Sequence, residues 1–236
     1  MIRAQGVIRV GGVRVVVTDI EGTTGSIAFV REVLFPYARA RLPDFIARHR
    51  HEVGATLAQV RAAEGDLDDG ALVALLRQWI DEDRKAPALK TLQGLIWREG
   101  YRSGELVGHV YDDAVRMLRR WREQGLALYV YSSGSVAAQK LLFGHSAAGD
   151  LTPLFDGYFD LGMGPKTSAD SYGRIAEAVG AGAGAILFLS DSAPEISAAR
   201  SAGLQAIRLV RDAAPQPGEA AGFDEIEIIP PGLGPR

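Results

Sequence analysis

The sequence has no cysteine among its 236 residues. This absence excludes disulfide bonds, thiolate nucleophiles and metal sites built from cysteine, and it fits the reducing cytoplasm, where we expect the protein to act. Long apolar runs are missing too, since no stretch approaches the ~18 apolar residues that a membrane-spanning helix needs. Near the start, Arg3, Arg9 and Arg14 interrupt the valines and glycines, so we expect no signal peptide.

An excess of one charge is also lacking. The 26 basic and 29 acidic residues leave a formal net charge of −3, which provides no general positive field to attract a polyanion. We therefore expect neither a nucleic-acid nor a membrane partner. The composition, with 47% hydrophobic and 23% charged residues, is typical of a globular protein. We expect a monomer whose ligand is a small molecule bound by locally placed cations.

Three short apolar, partly β-branched runs end at polar residues and are predicted to be buried strands. They are Val13 to Thr18, which precedes Asp19; Leu126 to Tyr131, which precedes Ser132; and Ala185 to Leu189, which precedes Ser190 and Asp191. Segments of helical character follow the second and third runs. The alternation predicts an α/β fold with a doubly wound, mainly parallel sheet. Ligands of such sheets bind at the carboxyl ends of the strands.

The first two predicted strands are roughly a hundred residues apart, far more than a single crossover helix requires. The intervening sequence predicts amphipathic helices at Val33 to Arg50, Ala71 to Ile80 and Ala88 to Glu99, with breaks near Gly65, Pro87 and Gly100. We interpret residues 29–108 as a helical cap inserted into a core formed by residues 1–28 and 109–236. Residues 230–236 are expected to be a tail.

Asp19 and Glu21 are carboxylates two residues apart, and Gly22 follows them. On an extended segment such residues point to the same side. Two like charges that close are unfavourable unless a cation lies between them or one of them is protonated, which points to a hard divalent metal such as Mg²⁺. A solvated surface loop with two acids is the competing interpretation, and a single pattern of this kind is common by chance.

Three further groups of polar residues follow along the chain, each at a turn or at the end of a predicted strand. Ser132 and Ser133 precede a predicted helix, where hydroxyl and N–H groups bind phosphate or simply cap the helix. Lys166 follows Gly164 and Pro165 in a turn, and it is either a phosphate-binding cation or an ordinary solvated lysine. Asp191 ends the third strand and would complete the metal site; Glu195, four residues later, would support that site or only begin a helix.

The four groups together resemble the four motifs of the haloacid dehalogenase superfamily. Glu21 stands where the superfamily usually has a second aspartate. With the phrases TDIEGTTGSIAFVREVLFPYA, KTLQGLIWREGYRSGELVGHVYDD, YVYSSGSVAAQKLLFGHS and FLSDSAPEISAA, the chain resembles the enolase-phosphatases (acireductone synthases) of methionine salvage. The second phrase lies largely in the expected cap, where substrate specificity usually resides in the superfamily.

This resemblance implies catalysis by Asp19, Glu21 and Lys166. Asp19 would attack phosphorus and form an aspartyl-phosphate, and Glu21 would act as general acid and then base. Ser132, Ser133 and Lys166 would bind the substrate, and Asp19, Glu21 and Asp191 would hold Mg²⁺. The implied reaction enolises 2,3-diketo-5-methylthiopentyl 1-phosphate and then hydrolyses its phosphate to give the acireductone.

Other functions remain open at this point. The main alternative is a generic Mg-dependent sugar-phosphate or nucleotide phosphatase with the same core. A dehalogenase has no need of Glu21 and Asp191 as metal ligands, and a phosphonate hydrolase would lack an acid at the position of Glu21. A non-catalytic binding module is disfavoured because Asp19, Glu21, Lys166 and Asp191 are all present.

Overall fold

The computed structural model describes residues 6–229, so the predicted tail at 230–236 lies outside the described residues. The strands in this range are β1 (Ile8–Gly11), β2 (Val15–Thr18), β3 (Ala127–Tyr131), β4 (Gly157–Phe159), β5 (Ile186–Ser190), β6 (Gln205–Leu209), β7 (Glu219–Ala220) and β8 (Ile226–Ile229). The α-helices are α1 (Ile27–Phe29), α2 (Phe35–Arg48), α3 (Arg50–Glu64), α4 (Asp69–Asp81), α5 (Pro87–Ser103), α6 (Asp112–Glu123), α7 (Val136–Gly144), α8 (Ala169–Ala178) and α9 (Ala193–Ser201). Within residues 6–229, no helix is long and apolar enough to cross a bilayer.

Two compact units divide the chain: one is Ala28–Val107, and the other comprises the described residues on either side of it. The flanking unit contains a six-stranded parallel sheet in the order β4-β3-β2-β5-β6-β7. Every residue of β2 and β5 is buried, as expected of strands covered on both faces. The prediction of a doubly wound parallel sheet is confirmed.

The register of the sheet places the candidate site residues at one edge. Thr18, the last residue of β2, pairs with Val130 of β3 and with Leu189 of β5. Asp19 therefore leaves β2 at the level where β3 and β5 also end. Because the chain winds outward in both directions from β2, this edge is the switch point at which open α/β sheets bind ligands.

Five short strands were not predicted from the sequence. One pair, β1 and β8, forms a separate parallel two-stranded sheet in which Ile8 pairs with Ile226. The others, β4, β6 and β7, extend the two sides of the main sheet, and none is longer than five residues. Each of the five contains a charged, amide or glycine residue, so none is a continuous apolar run like the three strands that the sequence predicted.

The unit Ala28–Val107 is helical and has its own core, in which Leu42, Leu72, Leu76 and Leu92 are fully buried. Two predicted boundaries here are wrong. In place of one helix from Val33 to Arg50, the structure has a π-helical stretch, Val30–Leu34, followed by α2, which ends at Arg48. Arg50 belongs to the next helix, α3, as its first residue.

The break predicted near Gly100 does not occur, because α5 continues to Ser103. A Cβ at Gly100 would come within 2.8 Å of Tyr37 and Leu106, so this glycine permits close packing. The helix ends at Gly104, whose φ of +78° is left-handed and suits glycine.

Pro43 lies inside α2 and interrupts its hydrogen-bond ladder. Proline has no N–H, so the carbonyl of Arg39, four residues earlier, receives no helical bond from it. Arg77 of α4 supplies a replacement, since its Nε donates to that carbonyl at 3.2 Å. A contact between two helices therefore compensates partly for the proline.

We predict that Pro43→Ala raises the free energy of unfolding by about 1–3 kcal/mol, because the alanine restores the missing helical bond. Urea denaturation measures the change. The matched control is Pro87→Ala, since Pro87 begins α5, where the ring suits the first turn; we expect this variant to lose a few tenths to about 1 kcal/mol. Equal effects of the two substitutions would contradict the account of Pro43.

Candidate active site

Asp19 is held by its backbone on the carboxyl end of β2. Its N–H donates to the carbonyl of Leu189 at 2.9 Å, and its own carbonyl accepts from the hydroxyls of Thr18 and Thr24, each at 3.0 Å. The residue is only 5% exposed. Fixing the main chain on both sides restricts where the carboxylate can go.

Lys166 lies between two carboxylates. Its Nζ is 2.7 Å from Asp19 Oδ1 and 2.8 Å from Glu195 Oε2, and its side chain is 8% exposed. Burial by itself lowers the pKa of Lys166, but the charges of Asp19 and Glu195 outweigh burial and leave the pKa above its ordinary value. The amine is therefore a buried cation in direct contact with Asp19.

Three hydroxyl groups hold the turn that carries Lys166. The carbonyls of Gly164, Pro165 and Lys166 accept from Tyr131 at 2.9 Å, Ser171 at 2.8 Å and Tyr172 at 2.7 Å, respectively. Both tyrosines are fully buried. Sequence reasoning missed these three residues because each acts on the main chain, for which the residue type gives no distinctive signal.

Gly164 is required in this turn for two reasons. Its φ is +113°, a value that L side chains rarely adopt. A Cβ at this position would also lie 2.5 Å from Ser171 Oγ and 2.3 Å from an Arg174 nitrogen. The glycine that precedes Lys166 in the sequence therefore allows the turn to pack against α8.

Glu195 and Asp191 add negative charge near Asp19 and Lys166. Burial and then the charge of Asp19 raise the pKa of Asp191 above its ordinary value. The same two causes raise the pKa of Glu195, although Lys166 opposes them. Ser190, another residue whose role sequence reasoning missed, donates to Glu195 Oε2 at 2.8 Å and lies 3.5 Å from Asp19 Oδ2. Two carboxylates thus contact one ammonium group, and a third, Asp191, lies near enough for the charge of Asp19 to affect its pKa.

The turn after Asp19 packs directly against Asp191. Gly22 has a φ of +69°, and a Cβ there would lie 2.2 Å from Asp191 Oδ2. The hydroxyl of Thr23 accepts from the N–H of Asp191 at 3.0 Å. Glu21 precedes Gly22 in this turn, where it is half-buried and forms an isolated bridge with Gly25.

The donor set of this cluster suits a hard cation. Within residues 6–229, no three histidine, cysteine, aspartate or glutamate side chains are grouped as a ready set of metal ligands. Asp19 and Asp191 are nevertheless close enough for one charge to raise the pKa of the other. Two carboxylates with main-chain and water oxygens are a donor set that fits Mg²⁺, which keeps several waters in proteins.

The serine loop follows β3, the neighbour of β2. Ser132 is 3% exposed, its N–H donates to Phe159 at 3.2 Å, and its hydroxyl accepts from the N–H of Gly134 at 3.2 Å. Ser133 is half-buried. The cap of α7 is a different serine, Ser135, which accepts from Ala138 at 3.3 Å. Capping therefore does not account for Ser132 and Ser133.

Comparison with known proteins agrees with this geometry. The sequence pattern of the haloacid dehalogenase-like hydrolases matches residues 13–203. Enolase-phosphatase E1 of Methylococcus capsulatus is 57% identical over 187 residues, which cover 78% of this chain and 82% of that protein. Enolase-phosphatase E1 of a Pseudomonas aeruginosa strain is 58% identical, with 78% and 83% covered.

Solved structures share the fold of this chain. The crystal structure of the Unknown transcript 4 protein of Saccharomyces cerevisiae aligns with a TM-score of 0.76 and 34% identity, covering 91% of this chain and 97% of the yeast chain. A phosphatase of the superfamily from Thermococcus onnurineus shares the fold at a TM-score of 0.58 and 18% identity, covering 90% and 95%. The chain belongs to the haloacid dehalogenase-like hydrolases and, within them, to the enolase-phosphatases.

Proposed function

We propose that the chain converts 2,3-diketo-5-methylthiopentyl 1-phosphate to the acireductone by enolisation followed by phosphate hydrolysis. The observation that carries this proposal is the contact of 2.7 Å between Lys166 Nζ and Asp19 Oδ1, at the carboxyl end of β2, in an enolase-phosphatase chain. The name of these relatives, enolase-phosphatase, describes both steps. A generic phosphatase is not favoured, because identities of 57–58% are to enolase-phosphatases.

Asp19 is the proposed nucleophile. One of its carboxylate oxygens attacks phosphorus in line and the ester P–O bond breaks, which leaves an aspartyl-phosphate and an enol whose oxygen takes a proton from Glu21. Water then attacks the same phosphorus, Glu21 accepts the proton of that water, and the Asp19 carboxylate leaves. Because Lys166 is fixed against Asp19, it orients the carboxylate and offsets charge on the phosphate oxygens.

Ser132 and Ser133 are the proposed ligands of the remaining phosphate oxygens. They lie in the loop that follows β3, which is paired with β2 and ends at the same edge as Asp19. Hydroxyl and N–H donors at such a loop suit a phosphate oxygen. Ser133 is also our candidate donor to the enolate oxygen in the first step.

Asp19, Asp191 and the main chain or carboxylate of Glu21 are the groups that would hold Mg²⁺. The ion would neutralise charge on the transferring phosphoryl group. The fit rests on the proximity of Asp191 to Asp19, whose charge raises the pKa of Asp191, and on the contact of two carboxylates, Asp19 and Glu195, with the single ammonium group of Lys166. A buried group of like charges is stabilised by a cation of opposite sign.

Glu21 is the proposed base of the enolisation. Removal of the carbon-bound proton needs a base near the substrate, and Glu21 is half-buried in the turn that directly follows Asp19. The same group then serves as acid and base in the phosphatase step, so one residue would handle the protons of both reactions.

The helical unit Ala28–Val107 is the proposed cap, corresponding to the expected residues 29–108. We propose a monomeric cytoplasmic enzyme with a small-molecule phosphate ester as substrate and without nucleic-acid or membrane partners. Substrate specificity is assigned to the cap by the resemblance of its sequence to that of the family.

The purified protein with Mg²⁺ is predicted to convert the diketone phosphate with transient enol absorbance and release of one phosphate per substrate. The two signals are followed together, by absorbance and by a phosphate assay. Simple sugar phosphates and nucleotides serve as comparison substrates and should be hydrolysed far more slowly. Phosphate release without an enol or acireductone would instead indicate a generic phosphatase.

Substitutions of the two acids should separate the steps. Asp19→Asn removes the nucleophile, so we expect phosphate release to fall below detection. Glu21→Gln is expected to slow both enol formation and phosphate release by about 10²–10⁴-fold, because the same base serves both. The control is Asp224→Asn, an exposed carboxylate of the same unit, which should leave both rates unchanged. If Glu21→Gln forms the enol normally, Glu21 is not the enolisation base.

Gly22→Ala should inactivate the enzyme through Asp191. The added Cβ would lie 2.2 Å from Asp191 Oδ2, so the carboxylate must move. Gly125→Ala is the matched control, because Gly125 has a similar φ of +82° but nothing within 4 Å of the added Cβ. Both variants should lose about 1 kcal/mol of stability from the left-handed backbone, measured by urea denaturation. Only Gly22→Ala should lose phosphate release, and equal activities would refute the steric explanation.

A further inference from the structure

Arg211 is a buried arginine that the proposed mechanism does not use. It follows β6, and its side chain is 10% exposed. Its Nε and Nη2 both donate to the carbonyl of Thr23, at 3.2 Å and 2.6 Å. The third nitrogen, Nη1, donates to Asp113 Oδ2 at 2.7 Å. The guanidinium carbon also lies 4.2 Å from the centre of the Tyr111 ring. All three nitrogens are therefore engaged.

Asp113 fixes the guanidinium from the other side. Its side chain is 15% exposed, and its Oδ2 accepts from the N–H of Phe223 at 2.7 Å as well as from Arg211. A Cβ at Gly222 would lie 2.8 Å from the same oxygen. The carboxylate therefore has a fixed place at the start of α6, and the arginine paired with it has little freedom to turn.

Thr23 connects this pair to the candidate active site. Its carbonyl accepts from Arg211, its N–H donates to the carbonyl of Ile20 at 3.1 Å, and its hydroxyl accepts from the N–H of Asp191. One residue therefore joins Arg211 to the turn after Asp19 and to the loop of Asp191. Arg208 of β6 adds a related contact, since its Nε donates to the carbonyl of Asp191 at 2.8 Å.

We propose that Arg211 is a positioning residue for catalysis: by holding the Thr23 carbonyl, it sets the distance between the turn of Glu21 and Gly22 and the carboxylate of Asp191. This inference rests on the proposed function. A planar guanidinium with several donors fixes direction as well as distance, which a single ammonium group does not. Small displacements of groups around a reacting centre have large effects on rate.

Loss of the guanidinium has a defined consequence at this location. The Thr23 carbonyl loses two donors, and the half-buried Asp113 loses its counter-charge. The turn then becomes free to shift relative to Asp191, while Lys166 and the serine loop keep their own contacts. We therefore expect the turnover number to fall more than the affinity for substrate, because the groups assigned to phosphate binding remain in place.

The test compares Arg211→Ala with Arg122→Ala in the full-length protein. Arg122 is a control with the same bonding pattern at a more exposed position, 39% against 10%: it pairs with one carboxylate, Asp156, at 2.6 Å and 2.8 Å and donates to one main-chain carbonyl, that of Leu126, at 3.3 Å. Leu126 precedes β3, so this pair lies at the amino end of the strands, away from Asp19. Both variants remove an arginine–carboxylate pair from the same unit.

Arg211→Ala is expected to lower kcat on the diketone phosphate on the order of 10- to 100-fold with KM changed less than about threefold. Arg122→Ala should retain kcat, even where its melting temperature falls as far. Added guanidinium ion, at concentrations far below those that unfold proteins, should restore part of the kcat of Arg211→Ala and leave Arg122→Ala unaffected. Equal kcat values in the two variants, or a change in KM alone, would overturn the proposal.

Two further variants apply if Arg211→Ala does not fold. Arg211→Lys keeps the positive charge but loses the planar guanidinium and its several donors. Asp113→Asn keeps the shape of the side chain but loses its negative charge. Both variants should lower kcat about tenfold or more. Unchanged kcat in both would overturn the proposal. A second readout is independent of turnover: addition of Mg²⁺ should raise the melting temperature of Arg122→Ala as it does that of the unmodified protein, and less so that of the Arg211 variants.

Failure of this inference is distinct from failure of the proposed function. If the unmodified protein does not convert the diketone phosphate, the substrate assignment fails, and the same variants are then compared on any phosphate ester that the protein does hydrolyse. If the unmodified protein is active and the Arg211 variants match Arg122→Ala, only the role of Arg211 fails.

Discussion

A buried ammonium group, Lys166 Nζ, lies within 2.8 Å of the carboxylates of Asp19 and Glu195. Asp191 lies close enough for the charge of Asp19 to raise its pKa. Like charges in a poorly solvated place repel one another and raise their own pKa values unless a cation opposes them. Arg208, whose Nε donates to the Asp191 carbonyl, and Lys166 both oppose the negative charge, yet the pKa values of Asp191 and Glu195 remain raised. The remaining excess of negative charge favours a further cation, which links the local structure to the metal chemistry proposed for it.

The positions of these charges depend on main-chain contacts rather than on contacts between the charged groups alone. Tyr131, Ser171 and Tyr172 hold the turn of Lys166, and Thr24 and Thr18 hold the carbonyl of Asp19. All five residues are buried; four of them lie in β2, β3 or α8, and Thr24 lies in the turn after β2. Attachment to rigid elements limits the movement of side chains in a catalytic group, so the chemistry can rely on distances that the fold fixes.

The sequence predicted the parts of the fold whose signal is local. The central strands β2, β3 and β5 are apolar runs that end at polar residues, and all three were found within two residues of the predicted bounds. The outer strands β4 and β7, the inner strand β6 and the pair β1–β8 were missed because each contains a charged, amide or glycine residue, so none is a continuous apolar run like those of β2, β3 and β5. The proposed catalytic residues were candidates by their types and spacing, and the family resemblance then implied their roles. Tyr172, Ser190 and Arg211 were not, since each acts on another residue or on the main chain, and their roles follow only from contacts across the fold.

Two glycines show how the backbone limits the sequence on both sides of the charged group. Gly22 and Gly164 both have positive φ, and a Cβ at either position would meet a neighbouring side chain at less than 2.6 Å. Gly22 lies in the turn after Asp19 and faces Asp191, whereas Gly164 begins the turn that brings Lys166 to the same place. The turn that follows Asp19 and the turn that carries Lys166 therefore each need a residue without a side chain. Close approach of the main chain at these two turns is what allows opposite charges from distant parts of the sequence to meet at one end of β2.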